Sequence, residues 1–122
     1  MDIQVTTFET NDDHATVFTE SSVEMRTNDY HDMRSPRFSR HTECKRYLFV
    51  EWPAGHNHIF ENLDRRHLGV CLSGQVRFIT SEGASKVISR GQTWQFVQES
   101  APNLTAEVIG NEPFQCVIVQ LD

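Results

Sequence analysis

The sequence predicts an all-β fold, a sandwich or barrel of short strands. No long stretch carries helical periodicity. Instead, short runs rich in β-branched and aromatic residues recur along the chain. Turn residues divide these runs: Gly74, Ser81-Glu82-Gly83-Ala84, Arg90-Gly91 and Gly110-Asn111-Glu112-Pro113. Composition agrees with a folded domain, because 38% of the 122 residues are hydrophobic and the eight Phe are spread along the chain. That length fits a single domain over 1–122.

The first 44 residues are the more polar part. IQVTTF (3–8), ATVFT (15–19) and SVEMRT (22–27) are strand candidates, and Asn28 to Pro36 is a loop by composition. The expectation for 1–44 is edge strands and an arm that covers the barrel or a partner. From residue 45 the pattern strengthens. KRYLFVEW (45–52) is one run, and HLGVCLSGQVRFIT (67–80) is a longer one bent at Gly74. A hairpin signal at 81–84 leads to SKVIS (85–89). TWQFVQ (93–98), LTAEVIG (104–110) and FQCVIVQL (114–121) complete the series. In the strand starting at residue 67, alternation puts His67, Gly69 and Cys71 on one face and Leu68, Val70 and Leu72 on the other.

The formal net charge of −6 argues against nucleic acid or an anionic membrane as a partner. Arg34, Arg37 and Arg40 run against that balance; they are a solvated loop, or an anion contact at a pocket rim or a dimer partner. No run approaches the ~20 apolar residues of a membrane helix. MDIQVTTFETNDDHA has neither a basic region nor an apolar core, so no signal peptide is expected. Asn103-Leu104-Thr105 matches a glycosylation sequon, which carries little without such a signal. Three cysteines (Cys44, Cys71, Cys116) without paired spacing do not make a disulfide framework. A reducing cytoplasm is the expected compartment.

Pro53-Ala54-Gly55, the apolar strand HLGVCLS and Gly74 resemble the first glycine-anchored motif of the cupin superfamily, small jelly-roll barrels of the RmlC-like kind. Gly91 and the apolar run after it resemble the start of the second. The resemblance covers about residues 45 to 121, and implies a double-stranded β-helix barrel that dimerises. Its metal-ligand positions are degenerate. Counted back from Gly74, the family's glutamate falls on His67 and its two histidines on Glu61 and Leu63. In the second motif the corresponding positions hold Val97, Glu99, Pro102 and Ala106, with no histidine.

The resemblance leaves three functional expectations. The first is a metal-free barrel binding a small polar or anionic molecule. Cys71, Trp94, Phe96, Tyr47 and Phe49 would line it, with Arg65 at the mouth. His67 and Glu61 would then be an acid–base pair, or a hydrogen-bonded pair satisfying each other inside the barrel. The second is a metal-dependent oxygenase or isomerase using His56, His58 and His67. An i, i+2 His pair shares one face of a strand, and imidazoles with a carboxylate suit Fe, Mn, Ni, Cu or Zn. The third is a non-catalytic homodimeric module serving a partner, expected if aromatic side chains fill the barrel.

Overall fold

The computed structural model describes residues 3–27, 36–60, 66–97 and 104–122. These form β1 (Gln4–Thr10), β2 (Thr16–Ser22), β3 (Arg26–Thr27), β4 (Arg37–Phe38), β5 (Arg46–Trp52), β6 (Asn57–Phe60), β7 (His67–Ser73), β8 (Gln75–Ile79), β9 (Ser85–Ile88), β10 (Thr93–Phe96), β11 (Leu104–Ile109) and β12 (Phe114–Gln120). One sheet has six strands in the order β2-β1-β10-β7-β12-β5, and a second has four in the order β6-β11-β8-β9. β3 and β4 form a small ribbon. β1 runs parallel to β10, and the other pairings among the described strands are antiparallel. No helix among the described residues is long and apolar enough to cross a membrane.

The two sheets face each other across an aromatic core. Phe8, Trp94, Phe96 and Phe114 come from the six-stranded sheet and Phe78, Val76, Leu104 and Val108 from the other, all fully buried or nearly so. Strict alternation along β11, with Leu104, Ala106 and Val108 inward, is the period-two pattern of a half-buried strand. Each of the buried Phe side chains contributes about 1.5–3 kcal/mol by leaving water.

The long run at 67–80 splits at Gly74, as its glycine suggests. Gly74 has φ 77°, and a β-carbon there would strike the carbonyl of Pro113. The hairpin at 81–84 closes β8 onto β9, with Thr80 N donating to Ala84 O at 2.8 Å, Gly83 N donating to Thr80 O at 3.0 Å, and the Thr80 hydroxyl accepting from Ala84 N at 3.2 Å.

The N-terminal strands meet expectation only in part, for β2 is an edge of the six-stranded sheet as expected. β1 is not an edge strand. It lies between β2 and β10, and Phe8 stacks on Phe96 at 5.2 Å in the core. Its buried threonines hid this in the sequence. They are tolerated because the Thr6 hydroxyl donates to Glu20 Oε1 at 2.8 Å, and Gln95 Nε2 donates to Thr7 Oγ1 at 2.8 Å. The run at 22–27 yields only the short β3. Two strands that the sequence did not single out, β4 and β6, complete the set.

Candidate functional site

β7 brings His67 to the inner face of the six-stranded sheet. Its ring lies 4.6 Å from Phe96, its neighbour across β10, and it is half-buried. The expected alternation holds: Cys71 is buried and Leu72 is 44% exposed. Glu61, Leu63 and Arg65, expected around His67, lie outside the described residues, as do Arg34, Glu99 and Pro102.

His58 sits on the other sheet, in β6, and His56 just before that strand. Residues 53–56 turn, with His56 N donating to Pro53 O at 3.1 Å, and β6 runs back along β11. Both imidazoles lie against the indole of Trp52, at 5.3 and 5.1 Å, and their centroids are 6.1 Å apart. This indole bridges β5 and β6, the edge strands of the two sheets, and closes one flank of the barrel. Burial, and then the charge of His56, hold the His58 pKa below the usual histidine value.

The three histidines do not gather round one point. A chain of ring contacts separates them, from His67 to Phe96 (4.6 Å), to Phe60 (5.8 Å), to His58 (4.6 Å). Ala106, directly across from His58, offers no ligand. Among the described residues, no three His, Cys, Asp or Glu side chains are placed to hold a metal ion. Among the described residues, His56, His58 and His67 therefore do not form such a group.

Cys71, Trp94 and Phe96 do face the interior, but as packed core rather than as walls of an open cavity. Trp94 lies so close over Gly69 that a β-carbon there would overlap the indole. Burial raises the Cys71 thiol pKa and pushes that of Cys116, its partner across β12, up to about 12, so both are poor nucleophiles. Tyr47 is placed differently from expectation. The inward residues of β5 are Trp52, Val50 and Leu48, in register with Phe114, Cys116 and Ile118. Tyr47 and Phe49 consequently face outward, 68% and 71% exposed, and line no barrel interior.

Ligand-sized space lies outside the barrel. A groove of about 750 Å3 runs over the outer face of the six-stranded sheet. Val5, Leu68, Val119 and Leu121 contribute apolar surface to it, and residues 21–24 and 39–44 contribute its sides, including Arg40 and His41. The sequence offered Arg40, with Arg34 and Arg37, as a solvated loop or as an anion contact at a pocket rim or a dimer partner. It did not signal the apolar surface, which is contributed by residues far apart in the chain.

No protein-family model and no curated protein matches the chain. Solved structures do. Ethanolamine utilization protein Q from Salmonella typhimurium, a putative assignment, aligns over 99% of this chain and 97% of its own, at 14% identity and a TM-score of 0.51. With the two-sheet topology, that decides the architecture. The chain has the cupin jelly-roll fold. A cupin domain from Bordetella pertussis aligns over 66% of this chain and 85% of its own, at 17% identity and a TM-score of 0.48. ToxT from Vibrio cholerae aligns over 66% of this chain at 13% identity and a TM-score of 0.57, and this chain spans only 31% of ToxT. ToxT is also known with an unsaturated fatty acid bound. At these identities the likeness is one of fold alone.

Proposed function

We propose that the chain is a non-catalytic, metal-independent cupin-type binding module that works as a homodimer. The barrel is its rigid support, and a small polar or anionic molecule is held on the outer face of the six-stranded sheet. The observation that carries this reading is the filling of the interior. Phe8, Phe78, Phe96, Trp94 and Phe114 contact one another across it, whereas the groove outside is of ligand size. The dimer is supported by β5, which ends the sheet with exposed Tyr47 and Phe49. A second copy would cover that edge. Three free thiols fit a reducing compartment.

Light scattering and amide chemical-shift mapping on the full chain test it. The expected result is a dimer in which added ligands perturb outer-face amides. Perturbation centred on His67, Phe60 and Phe96 would instead place binding in the barrel.

A second reading has one observation in its favour. His67 faces inward beside Phe96, and the inward-facing Leu48 is still 43% exposed, so the interior is not fully covered along β5. There His67, with Glu61, would bind the same class of molecule and transfer a proton. His67→Gln tests it, abolishing binding in that reading and leaving it unchanged in the first.

A further inference from the structure

The groove has two chemically distinct parts. Its apolar part comes from Val5 on β1, Leu68 on β7, and Val119 and Leu121 at the C-terminal end. β-Strand register explains how they meet. Leu68 pairs with Val119 across β12 and with Gln95 across β10, so residues distant in sequence share one outer surface. Outer faces of sheets are ordinarily solvated and polar. Here Val5 is almost wholly covered although it faces outward, because residues of the 21–24 and 39–44 segments border the same space.

One arginine stands on the rim. Arg40 and His41 border the groove, and the Arg40 side chain forms no ion pair with any described residue. The acidic residue bordering the same space, Glu24, is engaged by Arg26 at 3.1 Å, so its charge is offset locally. In a chain of net charge −6, this pairing leaves uncompensated positive charge beside an apolar surface.

We propose that the groove binds a small amphipathic anion, with its apolar body on Val5, Leu68, Val119 and Leu121 and its anionic head at Arg40 and His41. This rests on the outer-face reading above and adds the ligand class. A purely polar metabolite would leave the apolar surface uncovered, and a neutral apolar molecule would leave Arg40 unused. A carboxylate or phosphate monoester bearing an aliphatic or aromatic tail matches both parts. The guanidinium fork suits either head group, through charge-assisted bonds that a neutral head cannot form.

The test titrates the full-length chain with decanoate, with decanamide as its uncharged isostere, and with acetate as head without tail, by calorimetry and amide chemical-shift mapping. Decanoate is expected to bind with shifts at Leu68, Gln95, Val119 and 39–44, at least about tenfold tighter than decanamide. Acetate is expected not to saturate. Arg40→Glu is expected to weaken decanoate at least about tenfold and to leave decanamide unchanged. Because Arg40 is exposed, that variant should fold, and an unchanged thermal midpoint checks this. Equal affinity for decanoate and decanamide overturns the assigned class, as does decanoate binding that Arg40→Glu does not change. Failure of decanoate to bind, with dimer contacts mapping to the groove amides, also overturns the class but leaves the outer-face module standing. Shifts centred on His67, Phe60 and Phe96 overturn both.

Discussion

Position 69 has no room for a side chain, and the reason is one indole. Trp94 lies directly over the Gly69 α-carbon, so Gly69→Ala must push the indole out of the core. The expected cost is about 1–3 kcal/mol, the usual range for overpacking. A urea denaturation midpoint that does not move would show that the core yields more easily than its packing suggests. His58 supports a second residue-scale prediction. Its folded-state pKa lies below its unfolded value, chiefly through burial and secondarily through His56. The unfolded chain therefore takes up a proton at higher pH than the folded one. The stability tied to neutral His58 is fully present above the unfolded-state value of about 6.5. It is lost as pH falls through that value towards the folded one. Urea midpoints at pH 7.5 and 5.5 should differ less in His58→Gln than in the parent chain, and equal differences would refute the assignment. In the sequence, the spacing of His56 and His58 suggested shared metal ligation. The feature it could not reveal was Trp52, which takes up both imidazole faces.

At the scale of strands, legibility depended on whether one face was distinctly polar or apolar. β11 is legible because Leu104, Ala106 and Val108 alternate with the polar Thr105 and Glu107, whereas the inward face of β7 was implied by the family resemblance. β5 could not be read in this way. KRYLFVEW is apolar on both faces, so alternation alone cannot decide whether Tyr47 and Phe49 or Leu48, Val50 and Trp52 face the core. Register with β12 decides it, and register is a long-range property. β1 failed for the opposite reason. Its Thr-Thr core reads as surface until Glu20 and Gln95 are seen to satisfy the hydroxyls. The outward aromatics of β5 give the prediction at this scale. Tyr47 and Phe49 meet edge to face at 6.1 Å on an edge that pairs with no further strand among the described residues. If a second copy covers them, Phe49→Glu places a charge in that interface, and the dimer should become monomeric in light scattering. The fold should hardly notice, because Phe49 is solvent-exposed and such substitutions usually stay within about 0.5 kcal/mol. A variant that remains dimeric would move the interface elsewhere.

The whole molecule shows why the glycine frame of the family was legible while the chemistry it usually carries was not. Gly74 is required by a backbone approach, which survives any change of function. Ligand positions are held by side chains alone, and two of those the resemblance counts out, Glu61 and Leu63, lie outside the described residues. The contacts from His67 through Phe96 and Phe60 to His58 tie the two sheets together by dispersion and apolar burial. On the metal-independent reading proposed above, the fold does not depend on a metal, and that dependence can be measured. A structural metal present at a thousand times its Kd adds about 4 kcal/mol. In a domain of this size, losing that would lower the thermal midpoint by well over about 10 °C. Dialysis against EDTA is expected to shift the midpoint of the chain, purified without a metal-affinity tag, by no more than about 1 °C, which is small on that scale. A fall of about 10 °C that stoichiometric Zn, Mn, Fe, Ni or Cu restores would mean that ligands outside the described residues, Glu61 first among them, complete a site with one of the histidines. The barrel would then be a metal-binding cage rather than a filled support.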